Sequence, residues 1–340
     1  MKIKTLTPVH ISSGNKLTGL DFAVENGRVI VLDTPKLFKA LEEKGCDLLK
    51  AVEDLGTRKI SLKDLVRDFD LKLEDFKRYE AKLVGNVGSE ISEQIKTNEM
   101  PYIPGSSIKG AIRTAILWYA VKNDKSLLDF AINHLKKLVR GQVTSNVLKH
   151  ADDKLEKKVF GENPREDFMR VVRVTDSAEF NSLRVYEIKI LGSSVRGVCV
   201  ECIDENDTAQ IEMEVDKRIL EVKSIKSDLV RDIDTIAEIT REFSLELIKS
   251  ELNYNYDSRT KSILKEIAKV RGILLRVGWG TGWYSKTIGL LLETHPEFEY
   301  IRKKLRLGRS PRTGRFYEIF PKTRRTTADG KPLGWIKIDI

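Results

Sequence analysis

Four segments of this 340-residue chain carry residue types and spacings capable of chemistry. The first is Thr7-Pro8-Val9-His10-Ile11-Ser12-Ser13-Gly14. A strand running into a hydroxyl-rich turn that ends in glycine can aim backbone amides at an anion. His10 would serve there as a phosphate donor or a general acid/base, although no partner His, Lys or Tyr stands at a defined spacing. The second is Pro101 to Arg113, in which a Pro-Gly loop feeds a helix capped by Ser106 or Ser107. First-turn amides and the helix dipole attract phosphate. Lys109 and Arg113, four apart, share a face, and Gly110 lets another backbone come close. The third is Arg276 to Thr287, where Gly278, Gly280 and Gly282 alternate with Trp279, Thr281 and Trp283 ahead of Lys286. The glycines permit positive φ and close approach to a ligand. The aromatics offer stacking surfaces, and Lys286 a phosphate contact. A phosphate-binding P-loop is excluded because Ser285 replaces its second glycine, and a dinucleotide fingerprint fails at the same residue. The fourth, Cys199-Val200-Glu201-Cys202, lacks the second ligand pair a zinc site needs, so no metal and no cofactor is expected.

The charge pattern favours a polyanionic partner. The formal net charge is +9, and the whole excess sits in residues 301–340, where twelve Lys/Arg meet three acids, Glu318, Asp329 and Asp339. A localised basic segment interleaved with Phe316, Tyr317, Phe320 and Trp335 is the footprint of a nucleic-acid binder with folded strands rather than a solvated tail. Hydrophobic residues make up 41% of the chain, enough for a core. Three cysteines exclude a disulfide scaffold. No apolar run is long enough to span a membrane, and no secretory leader is evident, so a soluble cytoplasmic protein is expected. Scarce Gln beside abundant Lys and Glu leans thermophilic.

The elements that must position these segments follow from periodicity. Residues 20–32 predict a hairpin about Asn26-Gly27. Residues 36 to about 98 predict a charged, mostly helical insertion. Ser106 to Lys122 predict a helix with Ile108, Ile112, Ala115, Ile116 and Tyr119 on one face, and more helix runs to Phe160. Gly161 to Pro164 mark a break. Strands are expected over 170–175, 184–191, 195–203 and 208–215. A long helix over 228–252, a shorter one, a strand over 271–277 and basic C-terminal strands complete the chain. This order predicts an α+β fold of two ferredoxin-like units, residues 1–163 with the helical insertion and 164–340 with the glycine-rich loop.

Taken together, TPVHISSG, YIPGSSIKGAIRTAI (Tyr102 to Ile116), VRVTDSAEF (Val172 to Phe180), GWGTGW (Gly278 to Trp283), FPKTRR (Phe320 to Arg325) and PLGW (Pro332 to Trp335) resemble the RAMP superfamily of CRISPR-associated proteins. The FPKTRR and PLGW ending is similar to that of the Csm-complex subunit capping the crRNA 3′ end in type III-A effectors. The resemblance implies tandem RRM-like domains with a glycine-rich loop bearing on crRNA. It implies a place beside the backbone RAMP subunit, and assistance to crRNA maturation through host nucleases. The RNA-contact set expected is His10, Ser12, Ser13, Gly14, Ser106, Ser107, Lys109, Gly110, Arg113, Gly280, Thr281, Gly282, Trp283, Lys286, Arg324 and Arg325. No catalytic residue is assigned, because neither Asp21 nor Asp33 sits in a matching local motif. The alternatives are a RAMP-type endoribonuclease using His10 and a purely structural cap.

Overall fold

The computed structural model describes residues 1–57, 59–193, 197–222, 228–310 and 312–340, without the side chains of 145, 147 and 220–222. Four strands form an antiparallel sheet in the order Thr208–Gln210, Lys2–Thr5, Trp335–Asp339, Ile273–Arg276. The helices Gly105–Asn123 and Ile233–Leu252 pack against each other and against this sheet. Their apolar stripes explain the placement. Ile108, Ile112, Ala115 and Ile116, at helical spacing, are fully buried, as the sequence predicts. Ile236, Ile239, Phe243 and Leu247 do the same for the second helix. That helix begins at Ile233 rather than 228, because the Asp232 carboxylate accepts from the Thr235 amide at 2.8 Å and fixes the first turn there.

A second, mixed sheet runs Ser12–Thr18, Glu90–Gln94, Val198–Ile203, Leu183–Leu191, Lys77–Val84, Arg28–Leu32, Phe22–Glu25, and Arg324–Thr327 pairs with the later half of Leu183–Leu191. The expected hairpin is present, with Asn26 at φ 49° and Gly27 at φ 73° turning Phe22–Glu25 into Arg28–Leu32. The α+β, ferredoxin-like class holds.

The strands do not divide at 163/164, however. Lys2–Thr5 pairs with Trp335–Asp339, and Glu90–Gln94 with Val198–Ile203, so each sheet draws on both halves of the chain. The helical stretch is also shorter than expected. Helices Thr34–Glu43, Leu48–Gly56 and Leu62–Asp68 bury Leu37, Leu41, Leu55 and Leu65 against Ile30, Leu32 and Phe76, but Lys77–Val84 is a strand. Its charges suggest a solvated helix, yet Tyr79, Ala81 and Leu83 alternate onto one face and pack with Val29 and Val31. Of the expected strand 195–203, residues 195 and 196 lie outside the described residues, and the strand observed is Val198–Ile203.

Candidate nucleic-acid interface

Motifs far apart in sequence meet at the glycine-rich loop. The segment after the first strand crosses beneath it: the Trp279 amide donates to the His10 carbonyl at 2.8 Å, and the Gly334 amide donates to the Pro8 carbonyl at 2.9 Å. The Val277 amide in turn donates to the Gly334 carbonyl at 2.7 Å. TPVHI, GWGTGW and PLGW thus form one knot of backbone hydrogen bonds. Gly278, at φ 84°, shows why glycine is needed, since a Cβ there would lie 2.3 Å from the His10 oxygen. Gly278→Ala is expected to cost at least about 2 kcal/mol, from the left-handed conformation and the clash together. A melting curve identical to that of the unmodified chain would contradict this contact.

The second motif is anchored elsewhere. A Cβ on Gly105 would sit 2.5 Å from the carbonyl oxygens of both Val174 and Thr175, so the helix start lies directly on the VRVT strand. Neither Ser106 nor Ser107 caps this helix. It begins at Gly105 after Pro104, and the Gly105 amide donates to the Asp176 carboxylate at 2.8 Å. A carboxylate therefore already occupies the end where phosphate was expected.

Several expected contacts prove to be internal. The His10 ring is 1% exposed, and its Nδ1 lies 2.6 Å from the Glu201 carbonyl oxygen. That oxygen only accepts, so Nδ1 carries the proton. Burial pulls the His10 pKa down to about 4, against a smaller opposing effect of this hydrogen bond. His10 is a neutral packing residue, placed neither to touch RNA nor to move its protons. Thr281 is buried, its hydroxyl donating to the Gly278 carbonyl at 3.1 Å, and Gly280 lies under Leu333. Trp283 stacks on Phe298 at 6.0 Å, meets Phe320 edge-on at 4.8 Å and presses on Gly289, so much of its ring is taken up in packing, and the remainder lines the groove it shares with Lys286.

Arg113 lies across the Phe160 ring at 3.7 Å and pairs with Glu156 at 2.8 Å and Asp167 at 2.7 Å. It ties the helix Gly105–Asn123 to the helix Asp153–Phe160. Arg324 is buried against Glu251 at 2.8 Å and lies over Tyr254 and Tyr284. Ser12, Ser13 and Gly14 form no terminal turn. They open the exposed edge strand Ser12–Thr18, which is bulged between Ser12 and Lys16, and the Ser12 and Ser13 hydroxyls accept from the Gly14 and Asn15 amides.

What remains converges on one tract. Arg325 forms no ion pair among the described residues; its Nε is buried without a partner, and its guanidinium lies 5.0 Å from the Trp279 ring. Trp279 and Lys16 line one depression together with Asn86, Ser92, Glu90 and Glu187, and Lys16 pairs with Glu90 at 2.7 Å. On its other side Arg325 acts on Lys286. Burial first, and the neighbouring Arg325 charge second, hold the Lys286 pKa below its ordinary value. Lys286 and Gly110 line a groove between the helix Gly105–Asn123 and the segment following the glycine loop. Gly282 is open, with no atom within 4 Å of its Cβ position. Lys16, Trp279, Arg325, Lys286 and Gly110 thus follow one another through shared walls and contacts. Two adjacent cations without carboxylate partners, beside an indole and an uncluttered glycine, can hold a phosphate and a neighbouring base. Lys109, four residues before Arg113, faces a separate cleft with Asp167, Asn163 and Arg170. Lys16 was missed because nothing in its local sequence marks it. Its neighbour Trp279 was visible only as one of several aromatics.

Residues 2–285 match the family model of the RAMP superfamily. The CRISPR system Cms protein Csm5 of Methanocaldococcus jannaschii is 25% identical over 384 residues, spanning 100% of this chain and 88% of that protein. The protein of the same name from Streptococcus thermophilus is 30% identical over 149 residues, 38% of this chain and 41% of its own. Among solved structures, the crystal structure of T. onnurineus Csm5 superposes with a TM-score of 0.76 at 28% identity, covering 99% of this chain and 100% of that one. A chain of the cryo-EM structure of a Csm-crRNA-target RNA ternary complex of a type III-A CRISPR-Cas system gives 0.80 at 30% identity, with 99% of both chains covered.

Proposed function

The chain belongs to the RAMP superfamily, and from that premise we propose that it is a crRNA-binding subunit of a type III-A Csm complex. It sits at the end of the particle beside the backbone RAMP subunit, caps the crRNA 3′ end and assists its maturation by recruiting or guiding host nucleases. The observation that carries this reading is the tract from Trp279 through Arg325 to Lys286 and Gly110, where two cations without acidic partners among the described residues adjoin an indole, with Lys16, paired to Glu90 at 2.7 Å, at its edge. Its groups suit a sugar–phosphate strand held without sequence readout, since phosphate contacts position and base edges specify. The reading as a nuclease using His10 loses its residue, because the ring is buried and its Nδ1 is engaged.

Particles assembled with and without this chain, then treated with a 3′→5′ exonuclease, test the proposal. The guide in the complete particle is expected to keep a longer protected 3′ segment. Equal guide lengths in both would refute the capping role.

A further inference from the structure

The cationic excess of the last forty residues separates into two populations. Arg302 and Lys303 pair with Glu299, Arg324 with Glu251, Lys331 with Glu205 and Asp329, and Lys337 with Asp339. Of the others, Arg325 belongs to the tract above, and the rest gather on or beside a short hairpin. Arg309 and Phe316 form its β-bridge. The Ser310 amide donates to the Arg315 carbonyl at 2.8 Å, the Gly314 amide to the Ser310 carbonyl at 2.9 Å, and Arg309 Nε to the Gly314 carbonyl at 2.8 Å. Its base is tied by the Tyr317 amide donating to the Gly308 carbonyl at 2.9 Å and the Leu307 amide to the Arg302 carbonyl at 3.0 Å.

Arg306, Arg309, Arg312 and Arg315 recur at every third position, and all are exposed. None forms an ion pair among the described residues. The only acid in residues 304–322 is Glu318. Lys304 and Lys322 flank the hairpin, over the rings of Tyr300 at 5.7 Å and Tyr317 at 4.0 Å, and Tyr300 is 48% exposed.

Like charges held together by a fixed backbone repel one another, and a polyanion relieves that repulsion. The hairpin is also contiguous with the tract described above. Phe320, just beyond it, meets Trp283 at 4.8 Å, and its carbonyl accepts at 3.1 Å from the hydroxyl of Tyr284, two residues before Lys286. We propose that Arg306, Arg309, Arg312 and Arg315 form a second contact for single-stranded RNA, taking the sugar–phosphate backbone of the strand that leaves the Lys286–Arg325 groove. This rests on the RNA-binding reading and extends it to a site outside the motifs that carry the family resemblance. RNA is favoured over an acidic protein because a backbone supplies regularly repeated phosphates, matched by forked guanidinium groups, and because the groove proposed for RNA lies next door.

The test uses the full chain and the double variant R312Q/R315Q, whose altered side chains make no internal hydrogen bond among the described residues. Fluorescence anisotropy is measured with an oligouridine of about 8 nucleotides, sized for one single-strand groove, and with one of about 40. R312Q/R315Q is expected to weaken the long RNA about tenfold and to flatten its log K against log salt slope by about 1.4, at ~0.7 per lost contact. The short RNA should bind unchanged. If the double variant holds the long RNA as tightly as the parent, while K286Q/R325Q loses both lengths, the hairpin site is refuted and the functional reading stands. If K286Q/R325Q also keeps both RNAs, both fail. Release of a neighbouring subunit from R312Q/R315Q particles with RNA affinity intact would make the hairpin a protein contact and overturn the proposal.

Discussion

Replacing Arg325 with Ala lowers affinity for single-stranded RNA by about tenfold and costs only about 0.5–1 kcal/mol of stability, the cation–π contact with Trp279. The guanidinium makes no ion pair among the described residues, so its removal strands no buried carboxylate. What disappears is a charge next to Lys286 and a cation over Trp279. Charge-assisted contacts to phosphate are among the stronger polar interactions, and each one lost reduces the salt dependence. A pH signature follows. Phosphate bound between Lys286 and Arg325 favours the charged ammonium, whose pKa in the free protein lies below 10.5. Affinity therefore declines as pH rises through that lowered pKa. Removing Arg325 relieves the repulsion and moves what remains of the decline to higher pH. Titration of binding by anisotropy from neutral to alkaline pH checks this, and a decline at the same pH in both proteins would show that the two charges do not interact.

Arg324→Ala has the opposite outcome: the fold suffers first. Arg324 Nε lies 2.8 Å from Glu251 Oε1, and both side chains are more than nine-tenths buried. Breaking such a pair leaves a buried charge short of its partner, at a cost of about 3–5 kcal/mol. Arg276, 3.5 Å from the other Glu251 oxygen, and the hydroxyl of Tyr256 remain, which places the expected loss at the low end. Thermal melting reads the effect, and Arg324→Lys, which keeps a cation beside Glu251, should lose less than Arg324→Ala. An R324A protein that melts like the parent but fails to hold RNA would reverse the assignment of the two arginines.

These neighbours show how far the sequence carries. Successive residues on a strand face opposite sides, so one of Arg324 and Arg325 must turn inward. The local sequence cannot say which, because the answer depends on Glu251, some seventy positions away on a helix. Lys109 and Arg113 repeat the point: their shared face is readable from spacing, but the acids that take up Arg113 come from Glu156 and Asp167. Local signals were legible. The Asn26-Gly27 turn and the buried isoleucine stripe of Gly105–Asn123 need only their own residues. The strand Lys77–Val84 was hidden because its alternation is masked by charge. The interleaving of the halves was hidden because Lys2–Thr5 finds its partner more than three hundred residues on. TPVHI, GWGTGW and PLGW do meet, chiefly as a backbone scaffold, whereas the helix start at Gly105 lies on the VRVT strand. The proposed contacts fall around that scaffold, on the half-buried Arg325 and Trp279 and the exposed Lys286 and Lys16.

The most direct measurement is crosslinking in the assembled particle, with 4-thiouridine placed near the guide 3′ end and the attached peptides read by mass spectrometry. Adducts are predicted on peptides containing Trp279, Lys286 or Arg325. Guide adducts confined to other subunits, or to faces of this chain away from the glycine-rich loop, would contradict the account.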